Sequence, residues 1–341
     1  LGAVTPVGND LPTTWEALVA GRSGVARITQ FDPSPFSVQI AGEVKGFDPN
    51  NYFEPVEARR MDRCVQFAVV ATGEALRDAD LKITLDNAER IGAVIGTAVG
   101  GIKTLLENQR ILEEKGPRRV GPLFLPMMVP DTAAGQVAIT YGVKGPNMCI
   151  STSCATGGNA LGEAYHMIER GDADVIIAGG TESAVVPVSL AGFIQAKALA
   201  TNNEEPHKAM CPWDKKRSGF VMSEGSAILI LEDLDHALAR GARIYAEMLG
   251  YGATADAFHL IAPPEGAEGA ARAMRIALRK AKLRPEQVDY VNAHGSSTPL
   301  NDVAETICLK NVFGEHAYKL MVASTKSVTG HMMGAAGAIE A

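Results

Sequence analysis

One cysteine, two histidines and one lysine stand out in this sequence. Each sits where an apolar, strand-like run gives way to glycine or other small residues. The cysteine is Cys154, in Asn147-Met-Cys-Ile-Ser-Thr-Ser-Cys-Ala-Thr-Gly-Gly-Asn159. A helix-forming run begins there, so unpaired backbone N–H groups and the positive end of the helix dipole would favour thiolate over thiol. On position alone, a buried small hydrophobe accounts for Cys154 equally well. Its candidate partners come later: His294 in Asn292-Ala-His-Gly-Ser-Ser-Thr-Pro299, then Lys326 and His331 around a glycine turn in Lys326-Ser-Val-Thr-Gly-His331, then Glu340 in a small-residue helix. A cysteine, two histidines and a lysine suit covalent acyl chemistry. Zinc is a competing use of Cys154, His294 and His331, but no metal-ligand spacing is present and the lysine would repel the ion, so no metal is expected. A cysteine-protease reading would leave His331 and Lys326 without tasks. His166, His207, His236, His259 and His316 lack comparable settings and are assigned no role.

The surrounding pattern predicts the elements that must position these groups. A short helix opens near Thr13–Glu16 with a capping-box look, and a second spans Arg59 to Leu76. Arg90–Thr97 reads as a buried strand and Thr104–Glu114 as a helix. The glycines of Ala98-Val-Gly-Gly101 fit neither a dinucleotide nor a Walker motif and predict a tight turn near a cavity. Thr132–Tyr141 reads as a helix; the strand-like run into Cys154, the helix after it and the strand Val175–Glu182 form a strand–helix–strand grammar, which calls for a partly parallel sheet. Further on, helices are expected over Phe193–Leu199, Leu234–Gly241, Gly266–Ala281 and Asp302–Phe313. Strands are expected over Phe220–Leu231, Ile244–Tyr251, Val288–His294 and Leu320–Ser324. Glu224 interrupts one strand and reads as a structural hydrogen-bond acceptor. Active groups at strand ends are usual in open α/β sheets.

Composition narrows the remaining choices. The chain has 341 residues, enough for one large domain or two fused halves, and 46% of them are hydrophobic. Net charge is -7, with 32 basic against 39 acidic residues and no basic stretch interleaved with aromatics, so nucleic acid is not expected. Five cysteines without a framework pattern indicate a reducing compartment, and apolar runs such as Val175–Gly180 are too short to span a bilayer. A cytoplasmic protein is the expectation. The absent initiator methionine, and an end inside the helix-like run Gly334–Ala341, suggest a fragment of a longer protein.

With these motifs in hand the sequence resembles the β-ketoacyl-acyl-carrier-protein synthases among the condensing enzymes, most closely the type II elongation enzymes. The motifs are Ser151-Thr-Ser-Cys-Ala-Thr156, Val175-Ile-Ile-Ala-Gly-Gly-Thr-Glu182, Gly219-Phe-Val-Met-Ser-Glu-Gly225, Asn292-Ala-His-Gly-Ser-Ser-Thr-Pro299 and Lys326-Ser-Val-Thr-Gly-His-Met-Met-Gly-Ala-Ala-Gly337. They cover nearly the whole chain in the right order. Ser296 stands where many relatives have threonine. The resemblance implies a thiolase-like α/β fold of two duplicated halves in α-β-α-β-α layers, with the C-terminal part incomplete. Residues 1–239 would carry the nucleophile and 240–341 both histidines.

The resemblance also implies a division of labour. Cys154 would carry the acyl group, while His294 and His331 would hydrogen-bond the malonyl thioester as it loses carbon dioxide. Lys326 and its partner Glu340 would tune charge, and Thr298 and Phe193 would have supporting roles. No cofactor is implied. The partner would be acyl-carrier protein bearing acyl and malonyl groups, received on a basic patch for which Arg59, Arg60, Arg63 and Lys197 are candidates. A homodimer is implied, with Pro117–Pro130, Phe124 included, and the strand before Cys154 near its interface. One oxyanion donor would be the Cys154 N–H, and its complement would lie in a Gly-Phe-Gly turn beyond Ala341. A polyketide-type ketosynthase, or a non-catalytic partner subunit of a ketosynthase heterodimer, are the alternative readings.

Overall fold

The structure is a computed structural model that describes residues 1–259 and 261–341. Its strands are β1 (Gly2–Val4), β2 (Ala26–Arg27), β3 (Ile40–Ala41), β4 (Ile91–Gly96), β5 (Asn147–Met148), β6 (Val175–Glu182), β7 (Gly225–Glu232), β8 (Tyr290–Asn292) and β9 (Met321–Ala323). The first seven helices are α1 (Leu11–Val19), α2 (Pro55–Ala58), α3 (Arg63–Asp78), α4 (Ile102–Lys115), α5 (Phe124–Met128), α6 (Thr132–Tyr141) and α7 (Thr156–Glu169). Then come α8 (Pro187–Gln195), α9 (Leu234–Ala239), α10 (Glu268–Ala281), α11 (Pro299–Phe313), α12 (Lys326–Thr329) and α13 (Ala336–Glu340).

The central sheet has the order β1-β7-β6-β4-β5. β4 pairs in parallel with β5 and β6, and β7 pairs antiparallel with β6 and β1. Strands β4 and β6 are buried along their whole length, which explains their unbroken apolar runs. One face carries α3 and α6, where Phe67, Ala68, Ala71 and Val137 pack on Ile91, Ala93, Ile95 and Ile177. On the other face, Ala160, Leu161 and Ala164 of α7 pack on Val94, Ile176 and Ala178. Beyond α7 and α13 lies the parallel pair β8–β9, with α10 and α11 outside it. The layers therefore run α-β-α-β-α. Among the described residues no helix is long and apolar enough to cross a membrane.

Several local expectations need correction. Asp10, not Thr13, caps α1: its carboxylate accepts the Thr13 N–H at 2.7 Å. Helix α3 starts after Asp62, whose carboxylate accepts the Cys64 N–H at 3.2 Å, so Arg59 and Arg60 stay outside it. The helix expected over Phe193–Leu199 is the end of α8. Proline opens it at position 187, and Lys197, at φ +54°, belongs to the turn that follows. Ile244–Tyr251 pairs with no strand among the described residues and joins no sheet. It runs instead along α7 and α10, with Tyr251 against Gly162 and Gly250 against Ala277.

Glu224 is structural, as its setting suggested, and Arg63 belongs with it rather than on a docking surface. The fully buried Glu224 carboxylate accepts the Arg63 guanidinium at 2.9 Å, the Val44 N–H at 3.0 Å, the Gln30 side chain at 2.9 Å and the Ser183 hydroxyl at 3.0 Å. The Arg63 guanidinium also lies over the Phe67 ring at 4.6 Å. One acid thus joins four chain segments. Removing it leaves a mostly buried cation without its partner, so Glu224→Ala should lower unfolding free energy by about 3 kcal/mol. Urea denaturation at neutral pH measures this, and a change below about 1 kcal/mol would show the pair to be dispensable.

Candidate active site

Cys154 lies in a single 3-10 turn, Ser153–Ala155, that runs directly into α7. Ser153 adopts φ +53°, a conformation disfavoured for a residue with a side chain, and so presents Cys154 at a sharp elbow. The Thr156 hydroxyl accepts the Thr152 N–H at 2.8 Å and closes that elbow. A Cβ on Gly157 would meet the Ala338 N at 2.6 Å, so only glycine lets α13 approach α7 this closely.

His331 comes from a loop pinned by backbone on both sides. Its N–H donates to the Val221 carbonyl at 2.8 Å, and its own carbonyl accepts the Ser223 N–H at 2.9 Å. The ring, almost fully buried, stands with Nε2 3.0 Å from Cys154 Sγ and edge-on to Phe220 at 5.2 Å. The Met333 N–H donates to Nδ1 at 3.2 Å. An imidazole nitrogen that accepts carries no proton, so in the neutral ring the proton is on Nε2 and faces the sulfur. His331 is therefore a hydrogen-bond donor toward the thiol, not its base.

His294 ends the segment after β8, with its ring centroid 5.5 Å from that of His331. Glu305 of α11 holds this turn by the backbone, accepting the His294 N–H at 2.7 Å and the Gly295 N–H at 2.8 Å. Ligating atoms of Cys154, His294 and His331 all lie within 4.8 Å of one another. That spacing would suit a metal tripod, but the Nε2 proton occupies the lone pair His331 would have to offer. Lys326, buried beside them and ion-paired to Glu340, adds an opposing charge.

Electrostatics in this pocket follow from burial. Desolvation pushes His294 from 6.5 down to about 3, and the Lys326 ammonium pushes in the same direction. His331 is lowered by the same two causes and by His294. Both rings are neutral near pH 7. Cys154 departs from expectation: burial raises its thiol above the ordinary value, outweighing Lys326 and its own N–H, which pull it down. The resting site is a neutral thiol beside a neutral N–H donor. Such a site stabilises negative charge as it develops on sulfur or on an oxygen brought between the rings.

The structure brings Cys154, His294, His331, Lys326 and Glu340 together. Phe193 supports His331 at one remove, through an edge-on contact with Phe220 at 5.2 Å. Thr298 caps α11, accepting the Asn301 N–H at 3.3 Å, and shares a hydrogen bond with Ser296 at 2.9 Å. Sequence reasoning missed Glu305, Asp302 and Glu182. Asp302 accepts the Trp213 N–H at 2.8 Å and the Ser297 N–H at 3.1 Å, tying the 201–217 loop to the second half. Its signal was its place just inside the start of α11, next to the His294 turn.

A layered α/β fold that delivers a helix-start cysteine against two strand-end histidines defines an acyl-transfer enzyme of the condensing class. Two family models agree: "Beta-ketoacyl synthase, N-terminal domain" matches residues 1–237, and "Beta-ketoacyl synthase, C-terminal domain" matches residues 245–341. The chain belongs to the β-ketoacyl synthase family. It is 51% identical over 341 residues to 3-oxoacyl-[acyl-carrier-protein] synthase 2 of Synechocystis sp., covering all of this chain and 82% of the relative. It is 50% identical to the protein of the same name from Staphylococcus aureus, covering 100% of this chain and 84% of the relative. Among solved structures, the ketosynthase of AntDE:AntF, a type II PKS acyl-carrier protein in complex with its ketosynthase bound to the hexaketide, superposes with TM-score 0.90. It has 34% identity, covering 99% of this chain and 82% of that one.

The two lowered histidines set a pH dependence of stability. An unfolded histidine takes a proton near pH 6.5, whereas the folded His294 refuses one until about pH 3. The unfolded state therefore binds more protons in that window. The stability contributed is present above pH 6.5 and is lost as pH falls through the folded values. The melting temperature should fall on acidification from pH 6.5, and the His294→Asn, His331→Asn double variant should show a shallower fall. Parallel curves for the two proteins would refute this assignment.

Proposed function

We propose that this protein is a β-ketoacyl-acyl-carrier-protein synthase that joins an acyl group on Cys154 to malonyl-acyl-carrier protein in fatty-acid elongation. The carrying observation is the contact of His331 Nε2 with Cys154 Sγ at 3.0 Å, with the proton held on Nε2. In this reading Cys154 Sγ attacks the acyl thioester and expels the carrier thiol, which leaves with the cysteine's proton. The backbone N–H of Cys154 supports the tetrahedral oxyanion. Malonyl thioester then loses carbon dioxide. The electron pair of the broken carbon–carbon bond becomes an enolate whose oxygen takes hydrogen bonds from His294 and His331. Its carbon attacks the acyl-Cys154 carbonyl, and the cysteine thiolate departs. Lys326, paired with Glu340, adds to the burial that keeps both rings neutral and offsets part of the burial that raises the thiol. Residues 1–239 supply the nucleophile and 240–341 the histidines.

Higher identity to the elongation synthases than to the AntDE:AntF ketosynthase favours fatty-acid over polyketide chemistry. That ketosynthase was solved with its acyl-carrier protein, which supports the same class of partner here. Arg59, Arg60 and Lys197 are exposed and available to it. We assign a homodimer through β5, an outer strand whose Asn147 and Met148 are exposed. Exposed Leu105 lies on α4 and Leu125 on α5, with exposed Leu123 in the turn just before α5. An edge strand with apolar surroundings calls for a partner strand. A cytoplasmic location completes this reading.

Mixing the protein with acyl- and malonyl-carrier protein should give β-ketoacyl product and carbon dioxide, and Cys154→Ala should reduce condensation to background. Mass spectrometry of the carrier thioester reads the product. A wild-type protein that makes none, or an alanine variant that condenses at the wild-type rate, would refute the proposal.

A further inference from the structure

Glu182 ends β6 as a fully buried carboxylate that the condensation described above does not use. It accepts three hydrogen bonds. The Thr97 hydroxyl reaches Oε1 at 2.8 Å, and the N–H groups of Ala98 and Gly334 reach Oε2 at 2.8 Å and 3.0 Å. Both loops so joined flank the reacting pair. The Ala98 carbonyl accepts the Ser151 hydroxyl at 3.3 Å, three residues before the nucleophile. Gly334 directly follows Met333, whose N–H sits on His331 Nδ1.

That loop needs an external hold. Met333 adopts φ +48°, which is unfavourable for a residue with a Cβ and persists only where surrounding contacts impose it. Approach is also as close as glycine permits: a Cβ on Gly334 would meet the Ala98 N at 2.5 Å and Glu182 Oε2 at 2.8 Å. On the sheet side, a Cβ on Gly180 would meet the Gly334 carbonyl at 2.4 Å.

We propose that Glu182 is a positioning residue for the decarboxylation half-reaction, holding Gly334 so that the Met333 N–H stays on His331 Nδ1 and the proton stays on Nε2. This rests on the reading of His331 as an enolate donor. Acylation depends less on the hold, because sulfur also draws on Lys326 and on its own N–H. Decarboxylation has only the two rings. Burial raises the Glu182 carboxyl to about 7. A glutamine can replace the protonated form, its carbonyl accepting Ala98 and Gly334 and its amide donating to the Thr97 hydroxyl.

The test separates the half-reactions in Glu182→Ala, Glu182→Gln and Gly334→Ala, using carbon dioxide release from malonyl-carrier protein and acyl transfer to Cys154 read by intact mass. Glu182→Ala and Gly334→Ala should lose roughly 10- to 100-fold in decarboxylation, with a smaller loss in acylation. Glu182→Gln should recover most of it. Equal losses in both half-reactions, no loss in decarboxylation, or no recovery with glutamine would overturn the proposal. So would failure of both alanine variants to fold, which would assign Glu182 to stability alone. A wild-type protein that neither acylates nor decarboxylates would instead refute the proposed function, so the two failures are distinguishable.

Discussion

Everything in this site depends on one backbone hydrogen bond, from the Met333 N–H to His331 Nδ1. It fixes which ring nitrogen carries the proton, and hence whether His331 gives or takes a hydrogen bond at Cys154. Were the proton on Nδ1, Nε2 would offer a lone pair to the thiol and become a base, as in a cysteine protease, or a metal ligand. With the proton on Nε2, the ring stabilises negative charge on whatever lies against it. The chemistry available to the three residues is thus set by a backbone atom outside all of their side chains.

That constraint explains why so much small-residue sequence surrounds the site. Cys154 sits 177 positions before His331, so the two must be brought together by packing. α13 lies on α7 at the place where Gly157 has no Cβ, and the Gly334 loop lies on β6 where Gly180 has none. Each close approach lets backbone, not flexible side chains, carry the alignment. The second half is held at three further points: Glu305 grips the His294 turn, Asp302 grips the 201–217 loop, and the Asn292 amide donates to the Glu340 carbonyl at 2.8 Å.

The sequence made the delivery of the reactive groups legible because strand-to-turn transitions have local signatures. An unbroken apolar run ending in glycine marked β6, and small residues around Cys154 marked the elbow. The chain likewise bends at Ala98–Gly101, where the Ala98 N–H donates to Glu182 and the Gly101 N–H donates to the Met128 carbonyl. What escaped was non-local. Nothing near Ile244–Tyr251 in sequence reports whether a neighbouring strand exists, so strand propensity alone misassigned it. Arg63 read as a surface cation because its acid, Glu224, lies 161 positions away. The thiolate expectation for Cys154 counted the helix start and omitted burial, and burial is the larger influence.

Burial also determines how the site can stabilise an anion without a permanent positive charge in contact with it. A protonated histidine would be the stronger donor, but desolvation opposes it here and the Lys326 ammonium opposes it further. That ammonium is itself buried and is tolerable only because Glu340 pairs with it. The pair is therefore felt at a distance: its ammonium adds to the burial that keeps both rings neutral and offsets part of the burial that raises the thiol. Neutral donors in a dry pocket gain most when charge appears and little before it. In the reaction proposed above, such a site holds an uncharged thioester carbonyl weakly and its enolate strongly, which is the difference that lowers a barrier.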